Sequence, residues 1–217
     1  MITDSEGIRR LLSDIAEHSK SGSARDRDET YWLETGLKLL KFIKSLLDSP
    51  EKVRDWTEEW TEEYSADKIC LLGSIFVVLD NVSNPSQLLD DEQRMNQLDY
   101  GHKFVISFYE LAFARCVSMI SLIRANRFRY LQKMLIRHIF GKSYTCSLFA
   151  SDIYMFIFRI VHPHRQMEMC QLIMNFCRRA PSEAFVKGAA LINRFKHPVI
   201  NFENPKYQYL MEISNSQ

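Results

Sequence analysis

Apolar residues recur with helical spacing along most of the chain. Ile8, Leu11, Leu12 and Ile15, for example, occupy the i, i+3, i+4 and i+7 positions of an amphipathic helix. Comparable patterns predict further helices at residues 29–47, 50–63, 65–79, 92–125, 128–140, 147–161, 165–179, 180–198 and 206–213. Only 7 Gly and 6 Pro occur in 217 residues, which disfavours a turn-rich β fold. The sequence therefore predicts an all-α protein.

The predicted helices divide the chain into three segments. Residues 1–19 are expected to form an N-terminal amphipathic helix, and residues 20–28, which are small and polar, a flexible linker. Residues 29–217 then form a helical-repeat-like domain. Its later helices are joined by short turns, and residues 147–179 have about the length of one helical repeat. The predicted architecture is an irregular stack of antiparallel, HEAT-like hairpins, which is an α-solenoid.

Local expectations follow from the same patterns. The segment 92–125 is predicted as one uninterrupted helix. On the helix at residues 165–179, the spacing places Leu172 and Phe176 on the inward face. Asp152 is expected in the first turn of its helix, where a carboxylate meets unpaired backbone N–H groups and the positive end of the helix dipole.

Charge is distributed unevenly, although the formal net charge is only +1. Residues 1–100 hold 12 basic and 21 acidic side chains, and residues 101–217 hold 16 basic and 6 acidic side chains. Residues 111–151 contain no acidic residue at all. The basic segment, residues 115–142, is therefore the strongest candidate for a binding surface, and its candidate partner-binding residues are Arg124, Arg127, Arg129, Lys133 and Arg137.

Three interpretations of the basic segment remain open. Its cations can pair with the acidic half of the same chain, they can bind an acidic region of another protein, or they can bind nucleic acid. Tyr130 and Tyr144 lie among the cations, and basic residues mixed with aromatic ones are typical of single-strand binding surfaces. We expect protein binding, with direct nucleic-acid binding through residues 115–142 as the alternative.

No pattern of residues indicates an enzyme, a cofactor or a metal centre. The chain lacks a P-loop and the GxGxxG, GxSxG, HExxH and CxxC motifs. His162 and His164 flank a proline and are expected to lie in a turn. Five cysteines without a signal peptide are expected to be reduced thiols, so the predicted location is the nucleus or cytoplasm, without secretion. Glu110 and Arg115 interrupt the longest apolar stretch, which makes a membrane span unexpected.

One helical hairpin resembles a known family. Residues 147–156 read SLFASDIYMF, and Arg159 and then residues 170–181 follow them. This stretch resembles a hairpin of the fidgetin-like-interacting regulators of recombination and mitosis, the helical-repeat partners of a fidgetin-like AAA ATPase. Members of that family are several times longer. The resemblance implies a non-catalytic α-solenoid scaffold that binds an AAA ATPase in nuclear DNA recombination and repair.

Overall fold

The computed structural model describes residues 5–21, 29–49, 70–82, 107–179 and 182–199. Eight α-helices occur within these ranges, and no residue in them forms a β-strand. The all-α prediction is confirmed. The helices are α1 (Ser5–Ser21), α2 (Glu29–Leu47), α3 (Leu71–Asn81), α4 (Phe108–Ile120), α5 (Phe128–Ile139), α6 (Tyr144–Ile160), α7 (Pro163–Cys177) and α8 (Ser182–Val199).

Helix α6 is the centre of the domain. It packs against α3, α4, α5, α7 and α8, and its buried side chains cover most of the circumference of the helix. A helix that contacts five others needs apolar side chains over most of its surface, and this explains why residues 146–158 are so rich in Ile, Phe, Met and Tyr. Ser143 begins the helix by accepting a hydrogen bond from the backbone N–H of Cys146.

The N-terminal helix belongs to the same core. Ile8, Leu12 and Ile15 are buried, and α1 packs mainly against α3. The helix continues to Ser21 and therefore takes in the first two residues of the predicted linker; residues 22–28 lie outside the described ranges. The predicted helices at 50–63 and 206–213 also lie outside them.

The prediction of a single long helix at residues 92–125 is wrong for residues 107–125, which are the part of that segment that the structure describes. Helix α4 begins after Ser107, because Ser107 and Glu110 form a reciprocal capping box. The Ser107 N–H donates to Glu110 Oε2 at 2.8 Å, and the Glu110 N–H donates to Ser107 Oγ at 3.2 Å. The Ser107 hydroxyl also donates to Glu110 Oε2, at 2.9 Å, and the two bonds that Ser107 donates to this carboxylate lower the pKa of Glu110 below its ordinary value. The helix ends at Ile120, and a 3₁₀ turn at Ala125–Arg127 leads into α5.

Asp152 lies more than two turns inside α6, so the expectation that it stands in the first turn of a helix is wrong. Its carboxylate instead joins three helices. Tyr109 on α4 donates its hydroxyl to Oδ2 at 2.6 Å, and Arg194 on α8 forms an ion pair with Oδ1 at 2.5 Å. Burial, and then the hydrogen bond to Asp152, raise the pKa of Tyr109. The tyrosine therefore remains a neutral donor at physiological pH.

Replacing Asp152 with alanine should reduce the free energy of unfolding by about 1–3 kcal/mol, because the Tyr109 hydroxyl and the Arg194 guanidinium both lose their acceptor. The lower half of this range is expected, since Arg194 is partly exposed and water can replace its partner. Urea unfolding measures the loss. Tyr109→Phe is the matched control. In a double-mutant cycle, the stability losses of Tyr109→Phe and Asp152→Ala should be less than additive, because both remove the same hydrogen bond. Unchanged stability in Asp152→Ala would contradict this role.

Candidate functional site

A groove opens where the basic segment meets the second half of the domain. It lies between the turn after α4, helix α5 and the start of α7, and it has a volume of about 790 Å³. Helices α5 and α7 both pack on α6, and residues of both line the groove. Its lining residues are Ile120, Ile123, Ala125, Phe128, Arg129, Leu131, Gln132, Lys133, Ile136, Val161, Arg165 and Leu172.

The groove is apolar at its floor and basic at its rim. Seven of the lining residues, apart from Ala125, have aliphatic or aromatic side chains, and branched aliphatic residues predominate among them. Arg129 and Lys133, one turn apart on α5, are exposed on one side. Arg165 belongs to α7 on the other side. None of the described residues that line the groove is acidic. A ligand of this groove must therefore bring apolar surface together with negative charge.

Local sequence explains how α7 reaches the groove. His162 stands at the N-cap with its Nδ1 3.3 Å from the backbone N–H of His164, and Pro163 occupies the first helical position. Gln166 then anchors the helix by donating from Nε2 to the Phe158 carbonyl at 2.8 Å. This places Arg165 and Leu172, seven residues apart, on one face of α7. In the described ranges no group of three metal-ligating side chains occurs, and His162 acts as a helix cap.

The structure separates the five basic residues predicted from the sequence. Arg129 and Lys133 line the groove, whereas Arg124, Arg127 and Arg137 are not among its lining residues. Arg124 immediately precedes the 3₁₀ turn and is exposed. The Arg127 guanidinium lies over the Tyr130 ring, 5.7 Å from its centroid. Arg115, at the edge of the basic segment, is partly buried, and burial lowers the pKa of its guanidinium while nearby Asp48 opposes this effect.

One lining residue joins the groove to the core. The Gln132 side-chain amide contacts the Tyr154 hydroxyl at 3.4 Å, and that hydroxyl donates to the Met169 carbonyl at 3.2 Å. Burial raises the pKa of Tyr154, so the hydroxyl keeps its proton. Gln132 is thus held by a side chain from α6, and in the described part of the chain it is the one uncharged polar residue that lines the groove.

Leu172 and Phe176 correct a prediction made from helical spacing. Both were expected to face inward, but 39% of Leu172 and 41% of Phe176 is exposed. Leu172 and Phe176 do share an apolar face of α7 with Met169 and Ile173, which are buried. That face is wider than the part of it that α6 and α8 cover. The exposed edge of this stripe provides Leu172 to the groove. No sequence signal distinguishes such a residue from a core residue. Periodicity shows which residues share a helix face, but it does not show how much of that face other helices cover.

Comparisons with protein-family models, curated proteins and solved structures give no match to this chain. Within the described ranges, no helix is both long and apolar enough to cross a bilayer. The functional indication therefore comes from the groove and its chemistry.

Proposed function

We propose that this chain is a non-catalytic helical scaffold that binds another protein through the basic-rimmed groove. The observation that carries the proposal is the combination of an apolar floor with cations on both sides. Interfaces bury an apolar centre inside a polar rim, and the groove has this arrangement. Leu122 and Tyr130, close to the groove in sequence, are large apolar side chains that are more than two-fifths exposed. They extend the apolar surface that a partner protein can cover.

The proposed scaffold is an irregular stack of HEAT-like hairpins. The connections between α5 and α6, α6 and α7, and α7 and α8 are only a few residues long, which is typical of antiparallel neighbours. The resemblance of residues 147–181 makes a fidgetin-like AAA ATPase the first partner to test, and nuclear recombination and repair the setting of the proposed function.

Direct nucleic-acid binding through residues 115–142 is the second candidate. The specific observation in its favour is the pair formed by Arg127 and the half-exposed Tyr130, since a cation beside an accessible aromatic ring suits a base and its phosphate. The groove itself offers few stacking surfaces. Among the described residues that line it, Phe128 is the only aromatic one, and the other apolar residues are mostly branched aliphatic side chains. Branched aliphatic side chains pack well against the side chains of a protein, so the first candidate is favoured.

Charge reversal at the rim tests the proposal. The double variant Arg129→Glu/Lys133→Glu should keep its melting temperature within a few degrees, because both side chains are exposed and neither forms an ion pair with a described residue. Capture of the ATPase or another identified partner protein should fall by roughly tenfold, since two attractive rim charges become repulsive. Arg127 and Arg137 stay unchanged because both make other interactions within the chain.

The matched control reverses two exposed cations outside the groove, Arg178 and Arg179. It changes the net charge by the same amount and should leave partner capture unaffected. Equal losses in both variants would show a general charge effect and would contradict binding at the groove. Unfolding of the Arg129→Glu/Lys133→Glu variant alone would show that these cations serve the packing of the domain. If the variant kept its partner and lost binding to single-stranded DNA, the nucleic-acid candidate would replace the first.

A further inference from the structure

We infer that the occupant of the groove is an amphipathic helix with acidic residues on both sides of its apolar face. This inference rests on the proposed function and specifies the partner's chemistry. It is carried by the placement of charge. Arg129 and Lys133 stand on the α5 side and Arg165 on the α7 side, so a ligand that lies along the floor meets cations on both flanks.

The apolar floor matches the face of a helix. Arg165 and Leu172 are two turns apart on α7, and a helical rise of about 1.5 Å per residue makes this wall about 10 Å long. A partner helix binds such a groove through side chains at i, i+3, i+4 and i+7, which also span about two turns. Ile123, Ile136 and Leu172 are half-buried or exposed, so they are accessible to these side chains.

Charge complementarity selects an acidic partner. The nearest acidic side chain on α7 is Glu168, which pairs with Arg165 at 2.5 Å and lies 3.5 Å from His164. The charge of Arg165 is therefore partly neutralised by an acidic residue of its own helix. Arg129 and Lys133 form no ion pair with a described residue, and residues 111–151 include no Asp or Glu that could pair with them along α5. The uncompensated positive charge is consequently greater on the α5 side of the groove. Glu or Asp on the corresponding flank of the partner helix can pair with it.

A peptide selection tests this inference. The full chain is presented with a phage library of helical peptides that carry leucine at i, i+3, i+4 and i+7 and random residues at the flanking positions. Peptides that bind the wild-type chain and fail to bind Leu172→Asp should have Asp or Glu enriched on both flanks. Enrichment of Lys, Arg or neutral residues overturns the inference, and so does the absence of any peptide that depends on Leu172.

A charge exchange then locates the contact. The Arg129→Glu/Lys133→Glu variant should bind the best acidic peptide about tenfold more weakly. This is the loss of affinity expected when two surface ion pairs are removed together. The same peptide with lysine on one flank should recover that affinity with the variant. The Arg178→Glu/Arg179→Glu chain should bind the acidic peptide as the wild type does. Failure of the lysine peptide to recover binding overturns the assignment of acidic residues to the α5 side.

The outcomes distinguish the inference from the function on which it rests. Selection of basic or neutral peptides that still require Leu172 overturns the acidic helix and leaves protein binding at the groove intact. Binding of single-stranded DNA that is lost in Arg129→Glu/Lys133→Glu, with no peptide selected, overturns both. A dimer in sedimentation that disappears in Leu172→Asp identifies a second copy of the chain as the occupant and likewise overturns the inference.

Discussion

Replacing Phe149 with alanine should reduce the free energy of unfolding by about 3–5 kcal/mol, the range for truncating a fully buried phenylalanine. Phe149 is completely buried near the middle of α6. Its ring makes edge-to-face contacts with Phe76, Tyr109 and Phe113, at centroid distances of 5.7, 5.2 and 6.4 Å. The substitution therefore removes contacts that join α6 to α3 and to α4, and leaves a cavity that three rigid rings cannot easily fill.

Leu148→Ala is the matched control for this prediction. Leu148 is the preceding residue on the same helix, but 40% of it is exposed. Its truncation should reduce stability by less than about 1 kcal/mol, as is usual for surface positions. Urea unfolding followed by circular dichroism measures both variants. Similar losses at positions 148 and 149 would contradict the placement of α6 at the centre of the domain.

Replacing Gly188 with alanine should destabilise the contact between α7 and α8 by about 1–3 kcal/mol through overpacking. A Cβ atom at Gly188 would lie 1.9 Å from Cys177 Sγ and 3.3 Å from Cε1 of Phe140. Atoms cannot approach so closely, so either the Cys177 side chain or helix α8 must shift. The higher helix propensity of alanine, worth about 1 kcal/mol relative to glycine, offsets only part of this cost.

A second substitution makes the Gly188 prediction specific. Cys177→Ala removes the sulfur atom that the new methyl group would meet, so the Gly188→Ala/Cys177→Ala double variant should recover much of the lost stability. A double-mutant cycle should therefore show a favourable coupling of about 1 kcal/mol or more between the two positions. Additive losses would show that the cysteine is not the obstacle and would contradict the close approach of the helices.

The sequence predicts the helices that have one clear apolar stripe. The bounds of α2 agree with the predicted residues 29–47, and α5 agrees to within one residue. The start of α4 was missed because residues 104–123 carry no charge except at Glu110 and Arg115, and an isolated serine such as Ser107 does not by itself mark a helix start in such an apolar stretch. Asp152 was misplaced for a related reason. A carboxylate in a helical segment suits the first turn, and only the tertiary structure brings Tyr109 and Arg194 to it.

The candidate site was predictable in part. The charge distribution pointed to the α5 side of the groove, because Arg129 and Lys133 lie four residues apart in a segment without acidic residues. The other side was not predictable. Val161, Arg165 and Leu172 belong to elements about 30 or more residues further along, and no local pattern relates them to Ile120 or Ile136. Only the packing of α5 and α7 around α6 brings the two sets together.

Site-specific photo-crosslinking in cells tests most directly whether the groove binds protein. A photoreactive phenylalanine derivative replaces Ile136, which is half-buried and lines the groove. The control position is Val186, which is 66% exposed on α8 and does not line the groove. We expect a discrete protein adduct from position 136 that position 186 does not give and that the Arg129→Glu/Lys133→Glu substitutions reduce by roughly tenfold. Adducts from position 136 to nucleic acid alone, or the same protein adducts from both positions, would contradict it.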